Sequence, residues 1–264
     1  MPIHPTAVID PAAEVDSSAD VGPYVIVEPK VRVGPNCKLY AGAYLSAGAS
    51  LGEGVQVHPY AVVGHHPQDL GWKNTPSYVT VGDGTIIREH ATIHRGTPPE
   101  TTTTVGKRCF LMAGSHIAHN CTVGDDVKLA NGAALGGWVS VGDGTFVSSC
   151  VGIHQFVRVG RGCMLGGLSR IVADVPHFMS VMPDGVVGLN IVGLRRGGMS
   201  PAERLLLRKA YKLIYRSGLP LPEALQRVAG LGESSALGAV LDFFRSPTKR
   251  GFMRYRGGAG TDEA

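Results

Sequence analysis

The sequence predicts an all-β fold, a parallel β-helix of stacked hexapeptide repeats, followed by a C-terminal α-helical domain. An aliphatic residue recurs every six positions, a small residue usually follows four positions later, and both patterns end after Ile171. A helix would need a period near 3.6, and a flat strand a period of two. We therefore expect three repeats to form one triangular coil, and the coils to stack around a continuous interior column.

The aliphatic series defines the coil and its interruptions. From Ile3 to Ile171 in steps of six, 26 of 29 positions are aliphatic. The exceptions are Asp69, Thr75 and Pro99, within the segments HHPQDLGWKNTPSYVT and TPPETTTT. We expect loops to leave the coil at these two segments.

Four of the five cysteines occupy the small fifth position of the repeat: Cys37, Cys109, Cys121 and Cys163. The number is odd and no C-x-x-C pair occurs, which argues against a disulfide framework or a zinc knuckle. We interpret the four as buried apolar spacers.

The region after Ile171 is predicted to be helical. In SPAERLLLRKAYKLIYRSG, Ser200 is the expected N-cap, Pro201 the first helical residue and Glu203 the partner in a capping box, with Gly218 as the stop. LPEALQRVAG and SSALGAVLDFF predict two more helices. We divide the chain into a β-helix over 1–190, a helical domain over 191–256 and a disordered tail over 257–264.

The charge distribution is uneven. Residues 195–256 hold 13 Lys and Arg against 4 Asp and Glu, although the net charge of the chain is only +4. A basic segment of this kind favours an acidic partner or a phosphate ligand, or is simply a solvated helical face. No apolar run of about 18 residues and no secretory signal pattern occur, so we expect a cytoplasmic protein without a transmembrane segment.

The histidines lie at positions of the repeat that face outward. His116 and His119 belong to the stretch GSHIAHNCTVGDD, and His94 and His154 follow aliphatic residues. Three interpretations are open: a zinc site shared between subunits, ordinary surface residues, or a general base. An exposed imidazole at His119 could accept a proton from a hydroxyl or amine nucleophile.

Two glycines one coil later could complete such a site. Gly136 and Gly137 lie 18 residues after Ala118 and His119. Their N–H groups could approach a carbonyl oxygen closely and form an oxyanion hole.

The motifs IHRGT, HIAHNCTVG, HQF, DVP, GLNIVGLRRGGMS and AYKLIYRSG, in this order, resemble the UDP-N-acetylglucosamine O-acyltransferase family, over nearly the whole chain. The resemblance implies a left-handed coil and a homotrimer with its sites in clefts between neighbouring prisms. It implies transfer of an acyl chain, which we expect to be a 3-hydroxyacyl chain, from acyl carrier protein to the 3-hydroxyl of the nucleotide sugar, the first step of lipid A synthesis. It implies no cofactor besides the acyl carrier protein thioester, no metal and no nucleic-acid partner.

The resemblance also assigns roles to single residues. His119 matches the general base, Gly137 the oxyanion donor, and Gly167 the position that gauges acyl length. The positions that match substrate-binding residues, or lie in the motifs that contain them, are Asp69, His116, His154, Gln155, Asn190 and Arg196.

The chain departs from the family pattern at several of these places. Asn120 stands where the family usually has aspartate, Trp138 where it has histidine, and Val192 where it has glutamate. Gly71 occupies the position at which the family pattern has lysine, although Lys73 lies two residues later. An amide can orient the neighbouring imidazole but cannot stabilise its protonated form. Acylation of a 3-amino sugar, another acyl acceptor, a metal-dependent hydratase and a non-catalytic scaffold therefore stay open as alternatives.

Overall fold

In the computed structural model, which describes residues 3–183 and 185–256, the chain forms a three-sided β-helix and a helical C-terminal region. The expected disordered tail, 257–264, lies outside the described residues. The strands of the first half, in chain order, are β1 (Val8–Ile9), β2 (Glu14–Val15), β3 (Asp20–Val21), β4 (Ile26–Val27), β5 (Arg32–Val33), β6 (Lys38–Leu39), β7 (Tyr44–Leu45), β8 (Ala49–Leu51), β9 (Gln56–Val57), β10 (Val62–His65), β11 (Tyr78–Val81), β12 (Ile86–Ile87), β13 (Thr92–His94) and β14 (Thr102–Val105).

The second half continues the same pattern of short strands. Its strands are β15 (Phe110–Leu111), β16 (His116–Ile117), β17 (Thr122–Val123), β18 (Lys128–Leu129), β19 (Ala134–Leu135), β20 (Ser140–Val141), β21 (Phe146–Val147), β22 (Gly152–Ile153), β23 (Arg158–Val159), β24 (Met164–Leu165), β25 (Arg170–Ile171), β26 (Met179–Met182) and β27 (Gly185–Leu189).

Every third strand stacks on the one before it, which gives the prism three faces. Face one runs from β1 to β25 in nine strands, face two from β2 to β23 in eight, and face three from β3 to β27 in ten. Strands of successive coils pair in parallel, and residues at the same position of the repeat lie next to one another: Ile93 pairs with Ile117, and Ile117 with Leu135. The predicted period of six therefore corresponds to one face of the prism per repeat.

The aliphatic column and the small residues form the interior, as predicted. The largest core cluster contains the aliphatic residues of successive coils, together with all four spacer cysteines. Burial raises the pKa of the Cys121 thiol to about 12, which fits an apolar spacer. Ile3 differs: it is 53% exposed, because it lies in the first described coil, which is covered on one side only.

Four helices follow the prism: α1 (Ile191–Arg196), α2 (Pro201–Tyr215), α3 (Leu221–Ala229) and α4 (Ser235–Arg245). The predicted capping box is present, since the Ser200 hydroxyl accepts from the Glu203 N–H and the Glu203 carboxylate accepts from the Ser200 N–H. The structure adds two elements that the period did not predict, the short α1 and an antiparallel pairing of β26 with β27 at the end of face three.

The last described segment, Ser246–Arg256, which we call the C-terminal strap, returns from α4 to the β-helix. Phe252 bridges to Asp174 and Tyr255 to Val186. The helical region is thus joined to the prism by the strap as well as by β27.

Candidate active site

Both predicted loops leave the prism at the corner between faces one and two. The first lies between β10 and β11, and the second, one coil on, between β13 and β14. The Ser77 hydroxyl donates to Gly96 O at 2.6 Å, and Glu100 N–H donates to Pro76 O at 2.8 Å. These two bonds hold the two loops together at this corner of the prism.

His119 follows β16 at this same corner. It lies outside the interior column, as predicted, but the expectation of an exposed ring is wrong, because only 6% of its surface is accessible. The first loop covers it: Asp69 Oδ2 is 3.7 Å from Nε2 of His119. The repeat predicted that His119 lies outside the interior column. The loop that covers its ring does not follow the repeat, so its burial could not be predicted in the same way.

The neighbouring amide fixes the orientation of this ring. Asn120 Oδ1 lies 3.0 Å from Nδ1 of His119 and accepts the Thr97 N–H at 2.9 Å. A carbonyl oxygen only accepts, so the neutral ring carries its proton on Nδ1 and presents the lone pair of Nε2. Asn120 itself is held by a bond from its N–H to Thr103 Oγ1 at 2.8 Å. The amide thus performs the orienting role expected of it.

Asp69 completes a pair of hydrogen-bond acceptors. A bond from the Gly71 N–H at 2.8 Å holds the pKa of the Asp69 carboxyl below its usual range. Carboxylate and neutral Nε2 are both acceptors. A substrate hydroxyl lying beside both atoms could donate its single proton to one of them. The residue at the expected lysine position, Gly71, contributes a backbone group to this arrangement.

Gly137 lies against the His119 ring, nearest to its Nε2 and Cε1 atoms. A Cβ at Gly137 would overlap the imidazole, so only glycine fits there. Its carbonyl accepts from the Phe156 N–H at 3.0 Å, and the Trp138 N–H donates to His119 O at 3.0 Å. No acceptor for the Gly137 N–H occurs within residues 3–183 and 185–256. This free donor beside the ring is what an oxyanion hole requires.

A groove of about 480 Å³ runs along the corner and joins six of the predicted residues: His116, His119, Gly136, Gly137, His154 and Gln155. The expectation that Gly136 serves the oxyanion hole is wrong, because its N–H already donates to Ile153 O at 2.9 Å. Sequence reasoning missed other lining residues, which carry no motif of their own: Gln68, Ala134, Gly152 and Arg170. Because Ala134 and Gly152 are small, face one leaves space beside the histidines.

Burial lowers the pKa of two other histidines at this corner, His116 and His94. His116 Nδ1 is 2.7 Å from Thr92 Oγ1, and burial lowers its pKa. His94, expected on the outside, is 7% exposed beneath the loops, and burial lowers its pKa to about 4. Within the described residues no group of three His, Cys, Asp or Glu could hold a metal ion.

Three predicted residues lie away from the groove of the single chain. Asn190 caps α1, accepting from Gly193 N–H and donating to Gly162 O at 3.0 Å each. Arg196 is exposed at the end of α1, and Gly167 is exposed after β24. Their roles in substrate binding stay predictions, because a single chain does not place these three residues beside the groove.

Trp138 and Val192, two of the departures, are both exposed. Trp138 adopts φ 62° at the corner beside Gly137 and stacks 6.5 Å from Phe156. Nothing in the fold of one chain explains the side chain at Val192.

Comparison with known families identifies both parts of the chain. Residues 102–137 match the bacterial transferase hexapeptide (six repeats) family, and residues 174–253 match domain 2 of the UDP-N-acetylglucosamine O-acyltransferase family. No helix among the described residues is long and apolar enough to cross a membrane.

Named relatives agree with this assignment. The acyl-[acyl-carrier-protein]–UDP-N-acetylglucosamine O-acyltransferase of Gloeothece citriformis is 40% identical over 74% of this chain and 71% of its own length. The structure of the Francisella novicida UDP-N-acetylglucosamine acyltransferase is similar with a TM-score of 0.93, at 34% identity, over 96% of this chain and 94% of that one. The Moraxella catarrhalis UDP-N-acetylglucosamine O-acyltransferase gives 0.91, at 36% identity, over 96% and 99%.

These likenesses extend over the prism and the helices together. The predicted fold, a left-handed parallel β-helix with a C-terminal helical region, is confirmed. The corner of faces one and two, with the buried imidazole of His119 and the backbone of Gly137, lies within the matched length. The chain belongs to the UDP-N-acetylglucosamine O-acyltransferase family.

Proposed function

We propose that this protein transfers an acyl chain, expected to be a 3-hydroxyacyl chain, from an acyl carrier protein thioester to the 3-hydroxyl of UDP-N-acetylglucosamine. This is the reaction that begins lipid A synthesis. One observation carries the proposal: Nε2 of His119 is presented beside the Asp69 carboxylate and the Gly137 N–H, which has no acceptor among the described residues. A base, a second acceptor for a sugar hydroxyl and an oxyanion donor are the groups that acyl transfer to a hydroxyl requires.

The reaction follows from these positions. Nε2 of His119 removes the proton from the 3-hydroxyl as the oxygen attacks the thioester carbonyl. The Gly137 N–H donates to the oxyanion that forms. The intermediate collapses, the carbon–sulfur bond breaks, and the proton on His119 passes to the leaving thiolate. The products are the O-acylated nucleotide sugar and the free thiol of the carrier.

The remaining residues fit the binding of the two substrates. We propose that His116, His154 and Gln155 contact the sugar, since all three line the groove. We propose that Asn190 and Arg196 contact the acyl-pantetheine and nucleotide parts of the ligands across a subunit boundary of a homotrimer, because they lie away from the groove of one chain. The acidic carrier would dock on the basic segment of residues 195–256.

The division at residue 190/191 and a cytoplasmic location stay predictions. The first is tested by expressing residues 1–190 alone, and the second by fractionating cells that produce the protein.

The test of the function is direct. Purified protein is incubated with a panel of acyl carrier protein thioesters and with UDP-N-acetylglucosamine or its 3-amino analogue, and products are identified by mass spectrometry. We expect the O-acylated sugar, and a loss of about 10²–10⁴-fold in rate for His119→Ala. The exposed His90 provides the matched control, His90→Ala. Unchanged turnover in His119→Ala, or product only with the amino sugar, would contradict the proposal.

A further inference from the structure

The C-terminal strap is fixed firmly at the end of the β-helix. Asp174 N–H donates to Gly251 O, and Met253 N–H donates to Asp174 O, both at 2.8 Å. The Asp174 side chain is fully buried and pairs with Arg158 Nε at 2.7 Å. A buried, charge-assisted pair of this geometry is rigid. The strap therefore meets the prism in a defined place.

Just before this anchor, two cations of the strap cover one turn of the groove. Arg250 Nε donates to Gln155 O at 2.9 Å. Lys249 Nζ lies 4.3 Å from the centre of the Phe156 ring, and the Arg250 guanidinium lies 6.0 Å from it. Distances of this size fit cation–π contacts. The strap thus holds the turn Gln155–Phe156 from outside.

The same turn contacts the glycine assigned to the oxyanion. The Phe156 N–H donates to Gly137 O, and its ring stacks on Trp138. The Trp138 N–H in turn donates to His119 O. A chain of direct contacts therefore leads from Arg250, through Phe156, to the two residues assigned to the chemistry.

We propose that Arg250 is a positioning residue, which holds the turn Gln155–Phe156 and through it the N–H of Gly137. The inference rests on the proposed function. The basic charge of this region suggested docking of an acidic carrier, but Arg250 is half-buried and its Nε already donates to the backbone oxygen of Gln155. It acts on the geometry of transfer, where small displacements cost large factors in rate.

The two roles predict different kinetics. A docking residue would change KM for the acyl carrier protein, and its effect would weaken as salt screens the charges. A positioning residue lowers kcat at any salt concentration and leaves the KM for the donor unchanged.

The kinetic experiment uses the full-length protein with Arg250→Met, which removes the donor but keeps an extended side chain. Arg32→Met is the matched control, because Arg32 lies on β5, outside the basic segment proposed to dock the carrier, and its side chain is exposed. We expect kcat to fall about 10-fold in Arg250→Met, with partial recovery in Arg250→Lys, and no change in the control. A rise in donor KM that disappears at high salt, or an unchanged kcat, would overturn the proposal.

A second readout needs no substrate, so it separates failure of this inference from failure of the proposed function. Trp72 and Trp138 are the two tryptophans of the chain. In a Trp72→Phe background, emission reports on Trp138 alone. We expect a red shift and lower anisotropy in Arg250→Met and no change in Arg32→Met. If Arg250→Met does not fold, Lys249→Met replaces it and a smaller shift is expected; unchanged emission overturns the inference.

Discussion

Asn120 Oδ1 lies 3.0 Å from Nδ1 of His119 and accepts, at the same time, the N–H of Thr97 from the second loop. The backbone bond prevents the amide from turning its NH₂ group towards the ring. An uncharged side chain can therefore set the tautomer of the imidazole. What it does not provide is a negative charge to stabilise the protonated ring.

Restoring the carboxylate should change the pH profile. In Asn120→Asp, the added charge favours the protonated imidazole, so the neutral base forms only at higher pH. We expect the acidic limb of the kcat/KM profile to move up by about one pH unit and the plateau kcat to rise about 10-fold. The exposed Asn131 provides the control, Asn131→Asp. Identical profiles for Asn120→Asp and wild type would show that the amide alone suffices.

A side chain at Gly137, beside the His119 ring, should abolish most of the activity. In Gly137→Ala the methyl group would displace the imidazole of His119 from its place beside the glycine. We expect kcat to fall by about 10²-fold or more, measured by product formation at saturating substrates. Gly188→Ala is the matched control, because a Cβ there meets nothing within 4 Å. Equal activity of the two variants would remove Gly137 from the site.

A side chain at Gly167 should shorten the preferred acyl chain. A Cβ there would meet Ser149 O at 3.5 Å and Ser148 Oγ at 3.6 Å, which are ordinary contacts. Gly167→Met should therefore fold normally and fill space outside the prism. We expect the preference among acyl carrier protein thioesters to move to shorter chains by about 10-fold or more, measured by competition. Unaltered selectivity would mean that the chain does not pass Gly167.

Burial of His94 should make stability depend on pH. Its pKa is about 4 in the folded protein, against a usual value near 6.5, so the unfolded chain takes up the proton first. The stabilisation is complete above about pH 6.5 and is lost as the pH falls towards 4. Urea unfolding between pH 7.5 and 4.5 should therefore show a smaller loss for His94→Gln than for wild type. The control, His90→Gln, should behave as wild type; if His94→Gln does so too, His94 is not the titrating group.

The parts of this protein that follow from the sequence are those set by its period. Each coil buries the same positions of the repeat as the next. The stacking of Ile93, Ile117 and Leu135 can therefore be predicted from their spacing in the sequence. The small buried cysteines and the capped helix α2 follow in the same way, because local spacing and capping chemistry decide them.

Only the tertiary structure shows the contacts made by the loops and the strap, which lie outside the hexapeptide repeat. Nothing in the spacing of the chain places Asp69 or Thr97 against His119 and Asn120, and nothing in it leads from Arg250 to Gln155. A repeat fixes the position of a side chain on the prism, since each coil is a copy of the last. Loops and straps follow no repeat, so their contacts, and with them the burial of the imidazole, exist only once the chain has folded.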